Sequence, residues 1–270
     1  MISSKSSETP GNNDATEVPA TADVESVNPY DSARHKAAQV EEMFDSIAPA
    51  YDFMNNAMTF GMHRAWRNAA IRAAVKARQS LPTRRILDIA TGTGDVAFKL
   101  NEVFPDVDII GIDLSSGMLE IADKKLKNSD ESVKNKIKFE QGDSLSLRFD
   151  DNSFDLVTVA YGVRNFEHLS LGLREMARVL RSGGTLCIIE LSCPANRFIL
   201  PLYNLYSRKL IPLVGKLVSG DSRAYTYLPE SIAAAPQRER LARMMTDAGF
   251  SNCHWKSLTF GVVTYYIATK

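Results

Sequence analysis

The chain has 270 residues, 44% of them hydrophobic and 24% charged, enough to bury the core of one large α/β domain. Lys and Arg number 32, as do Asp and Glu, so no overall basic field recruits nucleic acid or an anionic membrane, and any basic patch is local. Three cysteines, Cys187, Cys193 and Cys253, have no CxxC or Cys/His ligand spacing, which argues against a disulfide framework and a metal site and for a reducing cytoplasm. Residues 1–35 carry Pro10, Pro19 and Pro29 among small polar and acidic residues and read as a disordered tail. They lack both the apolar segment of a secretory signal and the composition of a transit peptide. No run of apolar residues reaches the length of a membrane span. From residue 36, Val40, Met43, Phe44 and Ile47 recur at helical spacing; a break is expected at "APAYD" (48–52), then a second helix to about Ala77.

An alternation follows that predicts a parallel sheet covered on both faces. Strands are expected at 84–90, 107–113, 136–143, 154–162 and 185–192, with helices at 95–104, 116–127 and 171–180. The last of these helices closes through Gly183 and Gly184 into the next strand. A helix at 236–250 and a hairpin of strands at 252–260 and 262–269, separated by Gly261, end the chain.

The stretch "ILDIATGTGDVA" (86–97) sets a glycine loop where the first strand meets its helix. It fits G-x-G-x-x-A, so a dinucleotide site is weighed first. Asp113, at the end of the second strand, stands where an acid grips ribose hydroxyls in either a nucleotide or an adenosyl cofactor. Asp95 and Asp88 separate the two readings. Two carboxylates beside a pyrophosphate repel it, whereas the sulfonium and α-ammonium of S-adenosyl-L-methionine are attracted. Asp143 and Ser144, ending the third strand, are positioned to meet an adenine edge.

The set "LDIATGTGD", "GIDLSSGML", "GDSLSLRFDDNSFD" and "RVLRSGG" resembles the class I S-adenosylmethionine-dependent methyltransferases. More narrowly, "FDSIAPAYDFMN", "YGVRNF", "IIELSCP", "SRAYTYLPESI" and "LTFGVV" resemble the ubiquinone/menaquinone biosynthesis C-methyltransferases, over about residues 40–269. The resemblance implies a Rossmann-like seven-stranded α/β sheet with helices on both faces and the last strand antiparallel. It implies one methyltransferase domain, 36–270, with N-terminal helices and a lid insertion at 198–228. It puts the cofactor on Gly92, Thr93 and Gly94, the ribose on Asp113 and the adenine on Asp143 and Ser144, with Asp88, Leu114 and Ala160 completing that site. Arg164 and Asn165, with Tyr161, become the catalytic residues. Thr91 stands where a glycine is more usual in this family.

Methylation of a ring carbon needs an electron-rich ring, which an adjacent phenolate supplies. Arg164 suits that oxyanion because a guanidinium stays charged and offers several donors; for the same reason it is a poor base. The proton acceptor is left open among water, Tyr161, Tyr51 and His168. The insertion "FILPLYNLYSRKLIPLVGKLVSGDSRAYTYL" mixes apolar side chains with Arg208, Lys209 and Lys216, and reads as a lid over an apolar tunnel or an element resting on lipid. The implied partner is a prenylated quinol, with no nucleic acid; the implied location is cytoplasmic, with peripheral contact at the inner membrane face. Naphthoquinol or benzoquinol, and a homodimer, stay open. The competing functions are methylation of another small molecule and NAD-dependent oxidoreduction.

Overall fold

The structure, a computed structural model, describes residues 23–78, 81–207 and 222–270. Its strands are β1 (Arg85–Ile89), β2 (Asp108–Asp113), β3 (Ile137–Gln141), β4 (Phe154–Ala160), β5 (Leu180–Leu191), β6 (Ser251–Leu258) and β7 (Val263–Thr269). They form one sheet in the order β3-β2-β1-β4-β5-β7-β6, in which β7 alone opposes its neighbours. The helices are α1 (Lys36–Thr59), α2 (Met62–Ala77), α3 (Asp95–Val103), α4 (Ser116–Lys127), α5 (Glu131–Lys134), α6 (Leu169–Val179), α7 (Leu200–Leu205), α8 (Ser222–Ala234) and α9 (Glu239–Asp247).

Apolar runs without a polar face need cover on both sides, and the sheet has it. Leu87, Val157 and Val159 pack with Leu173, Met176, Leu241 and Met245 of α6 and α9. On the opposite face Ile86 and Leu156 meet Trp66, Ile71, Val96 and Leu100 of α2 and α3. The chain leaves β1 toward β2 on one side and returns to β4 on the other. Ligands bind at such a switch point, beyond the carboxyl ends of the strands. The loops after β1 and β4 meet there: a Cβ on Gly162 would lie 2.6 Å from the Ala90 Cβ.

Three expectations are corrected. Helix α1 runs unbroken through Pro49, so "APAYD" is no break. Met43, Ile47, Ala48 and Met54 pack on Met118 and on Ala224, Tyr225 and Tyr227 of α8, and that burial on both sides outweighs the roughly 3 kcal/mol a helical proline costs. Strand β5 begins at Leu180, directly at the end of α6. Its register against β4 jumps from Phe154–Leu180 to Leu156–Thr185, so Gly183 and Gly184 bulge within the strand. Finally, residues 23–35 of the expected tail pack on the domain: Val24 is buried against Ala234 and Ala235. Residues 1–22 lie outside the described residues.

Candidate active site

The loop from β1 to α3 turns through left-handed backbone at Ala90, Gly92 and Gly94, with φ of +51°, +57° and +83°. A Cβ on Gly92 would meet nothing within 4 Å, so its backbone borders open space in the cleft. One on Gly94 would lie 2.6 Å from the Phe139 ring, so Gly94 serves close packing under the loop. Asp113 accepts hydrogen bonds from Gly92 N at 2.8 Å and Ser115 N at 2.9 Å. Burial nonetheless pushes its carboxyl up to about 6, the backbone donors offsetting only part of that. Asp113, Leu114, Asp143, Ser144 and Ala160 line one cleft with Gly92.

The other two acids take different places. Asp88 is buried beneath the loop and outside the cleft lining, accepting from Thr91 Oγ1 at 2.6 Å and Thr158 Oγ1 at 2.5 Å. It braces the loop, and burial raises its carboxyl to about 6. Asp95 does not offer a free charge: Arg67 Nη1 and Lys125 Nζ each lie 2.8 Å from it. Lys125 also reaches Asp52 at 2.7 Å, and Asp52 accepts from Thr93 Oγ1 at 2.7 Å. Two carboxylates and two cations cancel, which removes the charge expected of Asp95 toward a ligand.

A second cavity of about 410 Å³ adjoins the cleft, walled by side chains of α1, α2, α7 and α8. Phe44, Tyr51, Ala90, Gly92, Ala160 and Tyr161 line both, and so mark their junction. Arg164 lines the larger cavity and Asn165 the cleft. The 3-10 turn Val163–Asn165 after β4 positions them. Arg164 is 6% exposed; its Nη1 donates to Glu190 Oε1 at 2.7 Å and to the Tyr161 carbonyl, and its backbone N donates to Glu190 Oε2 at 3.3 Å. Asn165 Oδ1 accepts from Tyr227 Oη of α8 at 3.1 Å. Tyr161 holds φ +59°. Burial raises its hydroxyl, and the Tyr51 hydroxyl likewise.

His168 lies away from both linings, 3.5 Å from Glu25 on an exposed face. Glu190, with His63 and Arg67 of α2, is not legible in the sequence; the one signal for Glu190 is an acid near the end of the apolar strand in "IIELSCP". From the insertion, Leu202, Tyr203, Tyr206, Tyr227 and Leu228 line the larger cavity. Arg208, Lys209 and Lys216 lie outside the described residues.

The strand order, the single reversed strand and the glycine loop facing Asp113 define a Rossmann-like methyltransferase fold. Solved structures with this fold include the [4+2]-cyclase SpnF, with TM-score 0.62 and 18% identity, covering 87% of this chain and 96% of that one. A SAM-dependent methyltransferase from Thermotoga maritima matches with TM-score 0.55 and 19% identity, covering 85% and 99%. A cyclase among them shows that the fold alone does not decide the chemistry. The chain belongs to the ubiE/COQ5 methyltransferase family, whose model matches residues 32–270. It is 45% identical to demethylmenaquinone methyltransferase of Porphyromonas gingivalis, covering 91% of this chain and 98% of that one. It is 42% identical to the ubiquinone/menaquinone biosynthesis C-methyltransferase UbiE of Geotalea daltonii, covering 87% and 97%. No described helix is long and apolar enough to cross a membrane.

Proposed function

We propose that the protein methylates a ring carbon of a prenylated quinol with S-adenosyl-L-methionine, converting a demethylmenaquinol to a menaquinol. The supporting observation is the meeting of two unlike spaces at Tyr51 and Tyr161: a glycine-loop cleft with an acid, and an apolar cavity with one buried arginine. The cleft residues suit an adenosyl ligand. Gly92 borders open space, and Asp113, held by backbone amides, presents a carboxylate to ribose hydroxyls. Asp143 and Ser144 stand further along the same cleft for the adenine edge. When bound, S-adenosylmethionine supplies an electrophilic sulfonium methyl group.

Arg164 holds the ring oxygen as an oxyanion, which raises electron density on the adjacent carbon. Glu190 fixes that guanidinium in advance, so little reorganisation accompanies charge development. Asn165, steadied by Tyr227, stands at the cleft side of the same turn. Tyr51 and Tyr161 keep their protons at neutral pH, because burial raises both hydroxyls, and serve as donors or relays. Neither tyrosine is therefore the final acceptor of the proton that leaves the methylated carbon. The apolar walls take the prenyl chain. The test is mass spectrometry of purified protein incubated with the methyl donor and a short-tailed demethylmenaquinol kept reduced. A ring-methylated product is expected; methyl transfer confined to other acceptors, or NAD binding without donor binding, would overturn the reading.

A further inference from the structure

Among the described residues, five buried side-chain polar atoms lack a hydrogen-bond partner, and three of them belong to residues of the larger cavity: Arg164 Nε, Tyr161 Oη and Arg67 Nε. Buried polar atoms are paired as a rule, so this concentration marks groups whose partner arrives with a ligand. One ring oxygen accounts for Arg164. A 1,4-quinol has a second oxygen across the ring, and an apolar cavity must satisfy it as well.

Helix α2 supplies the groups. His63 and Arg67 stand one turn apart on it, so they share a face, and both line the cavity. Asp95 holds Arg67 through Nη1 at 2.8 Å, which leaves Nε as the unpaired donor. His63 Nδ1 lies 2.8 Å from Thr59 Oγ1, whose hydroxyl donates to the Asn55 carbonyl at 2.6 Å. Thr59 can then only accept from the ring, so Nδ1 carries the hydrogen and Nε2 is the acceptor. Burial, with Arg67 nearby, lowers the His63 pKa and keeps the ring neutral. A donor beside an acceptor matches a hydroxyl, which accepts and donates; a quinone carbonyl only accepts.

We infer that His63 and Arg67 form a second oxygen subsite, which receives the quinol hydroxyl remote from Arg164. Tyr161 lies in the field of both arginines, which pull against the burial that raises its hydroxyl. The subsite rests on the quinol reading above, and its test separates the two.

Full-length wild type, His63→Ala and Arg67→Met are assayed on two substrates: a short-tailed 1,4-naphthalenediol, and the same ring without the hydroxyl beside the prenyl carbon. A site built to bind a hydroxyl rejects the analogue lacking it, so the wild-type preference for the diol in kcat/KM should fall by at least about tenfold in each variant. S-Adenosylhomocysteine affinity, read by calorimetry, should stay within about threefold, separating loss of a substrate contact from loss of cofactor binding. An unchanged preference in His63→Ala, which breaks no ion pair and so tests the subsite even if Arg67→Met misfolds, would overturn the inference. So would a loss of cofactor affinity in Arg67→Met with the preference intact, because Arg67 would then act through Asp95 on the glycine loop. If wild type methylates neither ring, the quinol reading itself fails.

Discussion

In the proposed function Asp113 is the acceptor for the cofactor ribose, yet burial holds its carboxyl near 6 against a reference of 3.8. Ionisation is what makes it a strong acceptor, so S-adenosylhomocysteine affinity should be flat above about pH 7 and fall by about tenfold per unit below about pH 6. Calorimetry across that range checks it. Asp113→Asn should flatten the profile and weaken binding by roughly ten- to a hundredfold, the worth of a charged hydrogen bond. Stability runs the other way. A carboxyl whose folded pKa is raised favours the fold when protonated, so the share owed to Asp113 and Asp88 is lost as pH climbs from about 4 to about 6. Arg164 gives a contrasting expectation, because it lines the larger cavity and not the cleft. Arg164→Ala should lower single-turnover methyl transfer by on the order of a hundredfold while leaving cofactor affinity unchanged. Glu190→Ala leaves a buried guanidinium unpaired and should cost about 3–5 kcal/mol in urea unfolding, whereas Glu190→Gln, which keeps an acceptor, should cost far less. Asp113 and Gly92 were legible because a strand-end acid and a glycine turn are local signals. Glu190, His63 and Arg67 were not, since their roles arise from partners such as Arg164 and Asp95 that only the fold brings near.

At the scale of elements, the alternation of strands and helices predicted the sheet within a few residues at most boundaries, because periodicity records which face is buried. Pro49 and the Gly183–Gly184 pair misled for the same reason: tertiary packing and strand pairing overrode a local breaker. The segment ahead of α1 misled through composition. It has few apolar residues, but Val24 is buried and Glu25 Oε1 accepts from Leu169 N at 2.8 Å at the start of α6. Lys36, at the head of α1, is 2% exposed and donates from Nζ to the carbonyls of Val24 and, at 3.2 Å, Arg164. One buried lysine thus ties the N-terminal segment to the Val163–Asn165 turn that carries Arg164. Lys36→Met keeps the volume but leaves the Arg164 carbonyl without its donor and the Val24 carbonyl with only Val27 N, at 3.3 Å, so it should cost about 1–3 kcal/mol of stability. Methyl transfer should slow as well, because the Arg164 backbone loses an anchor. Denaturant unfolding paired with single-turnover assays checks both; a stability loss with an unchanged rate would confine Lys36 to the fold.

For the whole molecule, the decisive feature is that a larger hydrophobic cavity opens beside the glycine-loop cleft in a chain whose described helices include no membrane span. Phe60 at the α1–α2 corner and Leu202 on α7 both line the cavity and are 83% and 70% exposed, so its apolar wall continues to the surface. Tyr206 bonds the Met58 carbonyl, and Trp66 Nε1 donates to Thr259 Oγ1 at 2.7 Å; the elements around the cavity are thereby joined. In the proposed function such a wall takes the isoprenoid chain by burial alone, at about 0.8 kcal/mol for each methylene removed from water. Activity should therefore rise steeply with tail length at first, by at least about tenfold in kcat/KM from a tailless quinol to one bearing a single isoprene unit, because several carbons enter the cavity together. The gain should then level off once the cavity is full, since further units remain outside the walls. If packing of the tail against α7 and α8 helps align the ring, kcat will rise along with affinity, because remote binding is then used in the transition state. Leu202→Ser combined with Phe60→Ser should shrink the tail-dependent gain and leave the tailless rate nearly unchanged, as neither residue lines the cleft. A series of quinols differing only in tail length, assayed in mixed detergent micelles, checks this, and equal rates along the series would assign these side chains to packing alone.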